Sequence, residues 1–133
     1  MDRSRMLRLA GAVLVLIGGA VHLKLNLDDY GTEDIVRTFA INAAVSALVA
    51  GYLVLRDDIL GPLAGIAVSV GTLIAFGLSR QGEGILDFRE VGFNPSPEAA
   101  LTVATEVLAV LVLALAAIEI WRTTSTSTSS RRS

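Results

Sequence analysis

Long apolar runs separated by short polar segments make up most of this chain. A helix needs roughly 20 predominantly apolar residues to cross about 30 Å of hydrocarbon. Four runs reach that length, at residues 7–27, 35–55, 59–79 and 97–121. The pattern therefore predicts an all-α protein, an antiparallel bundle of four transmembrane helices in a single domain.

The polar segments contain residues that favour helix ends and tight connections. Thr32 precedes two acidic residues and suits the N-cap of the second helix. Ser96 is followed by Pro97, a residue favoured at the first helical position. Only residues 56–58 join the second and third helices, which predicts that these two are antiparallel neighbours.

Composition supports the same conclusion. The 133 residues are 53% hydrophobic and 18% charged, whereas an average soluble domain is about 45–50% apolar and about 25% charged. A chain this short cannot bury so much apolar surface in its own core. The remaining residues, 122–133, are mostly Ser, Thr and Arg, and we predict a disordered cytoplasmic tail there.

The basic residues predict the orientation in the membrane. Seven fall at the end that carries both termini, namely Arg3, Arg5, Arg8, Arg56, Arg122, Arg131 and Arg132. Four fall at the opposite end, namely Lys24, Arg37, Arg80 and Arg89. Because basic residues accumulate on the cytoplasmic side, both termini are predicted to be cytoplasmic, in a plasma-membrane protein.

The net charge of −2 disfavours nucleic acid as a partner.

Four polar side chains, one from each helix, are predicted to lie roughly 7 to 14 Å below the outer boundary of the membrane. They are His22, Asn42, Thr72 and Glu106. One interpretation is a binding or proton-relay site in the outer half of the bundle. An alternative interpretation is a structural cluster that fixes helix packing. A charged carboxylate costs about 2.5–3.5 kcal/mol in the membrane, so Glu106 is expected to be neutral, hydrated or paired. His22 is its first candidate partner, and Arg37 or Arg80 the second.

The connection before the last helix is the other concentration of polar residues. It spans residues 80–96 and includes Asp87, Phe88, Arg89 and Glu90. Loops of this length without order are uncommon. We therefore expect an ordered loop over the polar cluster, which either seals the cluster from lipid or gates access from outside.

Metal and cofactor chemistry is not predicted. The chain has no cysteine and one histidine, which rules out disulfides and thiolate metal sites. His22 with Glu106 and Asp87 would be a poor ligand set for zinc or copper.

Several short motifs carry a resemblance to a known family: His22-Leu23-Lys24-Leu25, Tyr30, Phe39, Asn42, Leu78-Ser79, Phe88-Arg89-Glu90 and Glu106. Together they resemble a family of small four-helix prokaryotic membrane proteins, mainly actinobacterial, for which no activity is assigned. The chain departs from that pattern at Asp28-Asp29 and at residues 94–97. The resemblance implies the four-helix fold and the same choice of residues, and implies nothing about mechanism.

Two functions are compatible with these features. The first is an accessory or binding module that holds a membrane lipid, a small amphiphile or a partner subunit. The second is a dimeric proton- or cation-coupled transporter that uses Glu106 as its membrane carboxylate and His22 as a relay. An enzyme is less favoured, because the chain has no Gly-x-Ser-x-Gly, Gly-x-Gly-Asp or His-Glu-x-x-His pattern.

Overall fold

The computed structural model describes residues 1–130, and the side chains of residues 1–127. Within this part of the chain there are four helices and no β-strand: α1 (Arg3–Leu27), α2 (Glu33–Leu55), α3 (Leu60–Leu78) and α4 (Glu98–Ser130). All four are long and apolar enough to cross a membrane. The predicted all-α fold with four candidate membrane spans is confirmed.

The helix ends differ from the predicted ends for local reasons. Helix α1 begins earlier, at Arg3, because the Asp2 carboxylate accepts a 2.7 Å hydrogen bond from the Arg5 backbone N–H. Helix α2 has Thr32 as its N-cap, as the sequence predicts, with Thr32 Oγ1 3.4 Å from the Ile35 backbone nitrogen.

Helix α4 continues to Ser130, where the sequence predicts a disordered tail from residue 122. The hydroxyls in this segment donate to carbonyls one turn earlier in the same helix. Thr123 Oγ1 lies 3.2 Å from the Glu119 oxygen, and Thr126 Oγ1 lies 3.0 Å from the Arg122 oxygen. These bonds satisfy the hydroxyls within the helix. Residues 131–133 of the predicted tail lie outside the described residues.

The four helices are packed unequally. Helix α1 packs extensively against α2 and α4, and α3 packs against α4, whereas α2 and α3 contact each other sparingly. In the part of the chain that the structure describes, no Cα atom of α2 lies within 8 Å of one in α4, so these two helices share the core only through side chains. The buried core contains Ala12, Val15, Ala50, Leu53, Ala109 and Leu113. The core therefore lies near the start of α1 and the end of α2, away from the connection between α3 and α4.

Glycines allow close packing around Leu113 in this core. A Cβ atom at Gly11 would lie 2.2 Å from Leu113 Cδ2, and one at Gly65 would lie 2.4 Å from Leu113 Cδ1. The missing side chains leave room for the two methyl groups. Helices α1 and α3 can thus approach α4 closely, as small residues permit in membrane bundles.

A buried arginine caps the end of α2. Arg8 is 5% exposed, and its Nη1 donates to the Leu53 carbonyl at 2.8 Å and also to the Arg56 carbonyl. Its Nη2 lies 3.2 Å from Asp57 Oδ1. The last carbonyls of a helix lack partners within the helix, so this guanidinium satisfies groups that would otherwise be unpaired.

Candidate functional site

A cavity of about 390 Å³ lies between α2 and α3, beneath the connection between α3 and α4. Its volume falls within the roughly 300–1,000 Å³ of small-molecule sites. Its walls are mainly apolar and include Leu25, Phe39, Val45, Val68, Ala75 and Phe76. Ile41 also lines the cavity and is 57% exposed, so the cavity opens on the side of the bundle, between α2 and α3. We call this cavity the α2–α3 cleft.

Three of the four polar residues predicted to share a depth line the α2–α3 cleft: His22, Asn42 and Thr72. Asn42 Nδ2 donates to Thr72 Oγ1 at 2.8 Å, which links α2 to α3 across the cleft. Thr72 Oγ1 in turn donates to the Val68 carbonyl at 3.0 Å. The sequence-based grouping of these three residues thus corresponds to a physical neighbourhood.

The contacts of His22 locate a proton on one of its two ring nitrogens. The residue is 7% exposed, and its Nδ1 lies 2.8 Å from the Gly18 carbonyl oxygen. A carbonyl only accepts hydrogen bonds, so Nδ1 carries a proton, and when the ring is neutral Nε2 carries the lone pair. Phe39 contacts the ring edge-on, with 5.6 Å between the ring centroids. None of the described residues donates to Nε2.

Glu106 occupies a different place from the other three predicted residues. It is 2% exposed and is not among the residues that line the α2–α3 cleft. Its carboxyl faces Gly18, where a Cβ atom would lie 2.6 Å from Oε1. The Ser69 hydroxyl approaches the carboxyl from α3, without the geometry of a hydrogen bond. These uncharged surroundings suit a neutral carboxyl group.

The expected pairing of Glu106 with His22 is not found among the described residues, and Arg37 is not its partner either. Arg37 is exposed at the start of α2, where it pairs with Glu33 at 3.0 Å and with Asp34 at 3.5 Å. A helix-end carboxylate one turn away is accessible to Arg37 without burying its charge. A proton relay from Glu106 through His22, which the transport hypothesis needs, has no support in these contacts.

Arg80 lies at the mouth of the cleft and is also committed to other partners. Its guanidinium carbon stacks 3.4 Å from the Phe76 ring centroid. It donates to the carbonyls of Gly92 and Asn94, each at 2.6 Å. Partial burial lowers the pKa of Arg80, which the nearby Glu90 opposes. Arg80 therefore anchors the connection between α3 and α4 instead of reaching Glu106.

That connection, residues 79–97, covers the cleft and is called here the α3–α4 loop. Ile85 and Phe88 exchange two backbone hydrogen bonds of 2.9 Å, and the Glu90 backbone N–H donates to the Ser79 carbonyl at 2.8 Å. The four predicted loop residues therefore alternate along the chain: Phe88 and Glu90 line the cleft, and Asp87 and Arg89 are exposed.

Contacts with the α1–α2 turn hold the loop in place. The Tyr30 hydroxyl donates to Glu90, and the Tyr30 and Phe88 rings meet edge-on at 5.7 Å. Thr32 Oγ1 donates to the Leu86 carbonyl at 3.1 Å. Burial and the hydrogen bond to Glu90 together raise the pKa of Tyr30 to about 12. Tyr30 therefore stays protonated and keeps this link at physiological pH.

Thr102 lines the cleft but is not among the four residues predicted to share a depth. It lines the cleft from α4 and is 5% exposed. It lies four residues before Glu106, on the same face of the helix, and that spacing is the pattern from which it could have been found. Among the residues described, no group of three His, Cys, Asp or Glu side chains is close enough together to hold a metal ion.

Comparison with protein-family models, curated proteins and solved structures gives no match to this chain. The resemblance to the family of small four-helix membrane proteins therefore remains a prediction from short motifs.

Proposed function

We propose that this chain is an integral membrane protein that binds a membrane amphiphile in the α2–α3 cleft. The observation that carries the proposal is the sideways opening of an apolar cavity between two candidate membrane spans. A lipid-soluble molecule can enter such an opening from the bilayer without crossing water. The α3–α4 loop covers the polar end of the cavity, whereas Ile41 on its lateral side is exposed.

The size of the cleft favours a small amphiphile over a partner helix. A helix with its side chains is about 10–12 Å wide and would need a long groove. The cleft instead narrows where Asn42 and Thr72 are hydrogen-bonded across it. A single acyl or isoprenoid chain with a small polar group suits both the volume and the mixed lining.

The topology forms part of the proposal. We infer an antiparallel bundle in the plasma membrane, with both termini in the cytoplasm, from the excess of basic residues at the terminal end. The absence of cysteine allows a direct test by single substitutions. With an impermeant maleimide, Glu83→Cys should be labelled in intact cells and Ser125→Cys only after permeabilisation. The opposite labelling pattern would reverse the orientation.

Occupancy of the cleft is tested by filling it. Gly71 lines the cleft, and a Cβ atom there meets nothing within 4 Å. Gly71→Leu should therefore add a side chain at the cleft whose Cβ atom meets no neighbour. We expect wild-type protein, gently extracted from its membrane, to retain a bound amphiphile in native mass spectrometry, and Gly71→Leu to lose most of it.

Gly77→Leu is the matched control. Gly77 lies on the same helix and has equal space for a Cβ atom, but it does not line the cleft. Its bound amphiphile should equal that of wild type. Equal retention in both variants, or a wild-type protein without any bound molecule, would rule out the cleft as the binding site.

A further inference from the structure

The α2–α3 cleft contains two buried polar side chains with unused hydrogen-bonding capacity. His22 lines the cleft from α1, and Thr102 lines it from α4. Both residues are more than nine-tenths buried. Within residues 1–127, neither His22 Nε2 nor the Thr102 hydroxyl has a hydrogen-bond partner. Buried polar groups are normally satisfied, so a pair left open toward one cavity indicates a missing partner.

Three other polar side chains of the cleft, those of Asn42, Thr72 and Thr38, are already hydrogen-bonded. Asn42 donates to Thr72 and accepts from Ser46 at 3.3 Å. The Thr38 hydroxyl donates to the Ile35 carbonyl at 2.7 Å. Among the buried polar side chains that line the cleft, Thr72 and Ser79 are hydrogen-bonded, which leaves His22 and Thr102 as partners for a ligand.

The charges at the mouth of the cleft indicate a neutral ligand. Arg80 makes four side-chain hydrogen bonds, to Phe76, Ser79, Gly92 and Asn94. The Glu90 carboxylate accepts from Tyr30. Neither a phosphate nor a carboxylate group would find an uncommitted cation among the residues that line the cleft.

We propose that the cleft recognises the hydroxyl group of a neutral, single-chain amphiphile. The ligand hydroxyl donates to the His22 Nε2 lone pair and accepts from Thr102 Oγ1. A hydroxyl is the simplest group that both donates and accepts, which matches this pair. The hydrogen bond from Nδ1 to Gly18 holds the tautomer that leaves Nε2 as an acceptor. This inference rests on the proposed function and adds the chemical class of the ligand.

The single histidine makes the proposal directly observable. In protein labelled with ¹⁵N-histidine and placed in lipid nanodiscs, Nδ1 should be protonated and Nε2 unprotonated. Added hexadecanol should move the Nε2 resonance upfield, whereas hexadecyl methyl ether, which cannot donate, should leave it in place. A proton on Nε2 in the free protein, or equal responses to the two probes, would overturn the proposal.

A pair of threonine variants tests the second contact. Thr102→Val should weaken hexadecanol binding by roughly 3- to 10-fold and leave binding of hexadecane, which has no acceptor oxygen, unchanged. Thr105→Val is the control, since the Thr105 hydroxyl is already bonded to the Leu101 carbonyl at 2.8 Å. An equal loss of affinity in both variants would contradict a specific role for Thr102.

Failure of this inference is distinguishable from failure of the proposed function. If Gly71→Leu abolishes amphiphile retention while His22 Nε2 ignores the hydroxyl probe, the cleft binds amphiphiles by another group. If Gly71→Leu retains the amphiphile, binding in the cleft itself is refuted.

Discussion

Replacing Gly11 with alanine tests how closely α1 packs on α4. The added Cβ atom would lie 2.2 Å from Leu113 Cδ2 and 2.7 Å from Leu113 Cγ. Leu113 cannot simply rotate away, because it is fully buried and its other methyl group lies against Gly65. Overpacking of this kind costs about 1–3 kcal/mol. Alanine also raises helix propensity, by up to about 1 kcal/mol, which offsets part of that cost.

A matched control separates the two effects. At Gly77 an added Cβ atom meets nothing within 4 Å, so Gly77→Ala contributes propensity without a clash. We expect the free energy of unfolding of Gly11→Ala to lie about 1–3 kcal/mol below that of Gly77→Ala. Equilibrium unfolding in mixed micelles with increasing SDS, followed by circular dichroism, measures the difference.

The double variant Gly11→Ala/Leu113→Ala identifies the clashing atom. Leu113→Ala alone should cost about 2–5 kcal/mol because it leaves a cavity. In that background Gly11→Ala should be no worse than Gly77→Ala, because the interfering methyl group is gone. Additive effects of the two substitutions, or equal stabilities for Gly11→Ala and Gly77→Ala, would refute the packing described here.

Three further predictions follow from other contacts. Arg8→Met should lower the free energy of unfolding by roughly 2–3 kcal/mol, because the end of α2 loses its cap. Arg5 is exposed, so Arg5→Met should change this free energy by less than about 0.5 kcal/mol in the same unfolding assay. In a Tyr52→Phe background, absorbance titration should give Tyr30 a pKa of about 12. Unfolded tyrosine ionises near pH 10, whereas folded Tyr30 stays protonated there. The contribution of Tyr30 to the free energy of unfolding is therefore complete below about pH 10 and is lost as the pH rises toward 12. A titration of Tyr30 with a pKa of about 10 would contradict this prediction. Glu106→Gln should unfold within about 1 kcal/mol of wild type, because the carboxyl faces uncharged groups, and a larger loss would indicate a charged partner.

Much of the fold could be predicted from the sequence, because hydrocarbon thickness sets the length of an apolar run. The four runs of that length correspond to four helices. Thr32 is the N-cap of α2, as predicted from its hydroxyl group and its place before two acidic residues. Counting residues from the helix ends gave a depth for each polar side chain. That count was sufficient to group His22, Asn42 and Thr72.

The separation of Glu106 from His22 was decided by the tertiary structure. Depth along a helix follows from sequence number, but direction around the bundle axis depends on how each helix is rotated against its neighbours. Glu106 faces Gly18 and Ser69, so it is enclosed by α1 and α3 instead of opening into the cleft. The sequence alone contains no measure of that rotation.

The cleft itself also depends on packing between distant segments. Helices α2 and α3 are joined by a short connection, yet they contact each other sparingly, because α1 and α4 provide most of the packing surface. The α3–α4 loop then covers the resulting gap through Tyr30 and Arg80. Local sequence determined the four candidate membrane spans and the N-cap of α2, because those depend on hydrophobicity and capping within a few turns. The opening between α2 and α3 and the groups that face it depend on the relative positions of all four helices, which only the tertiary structure decides.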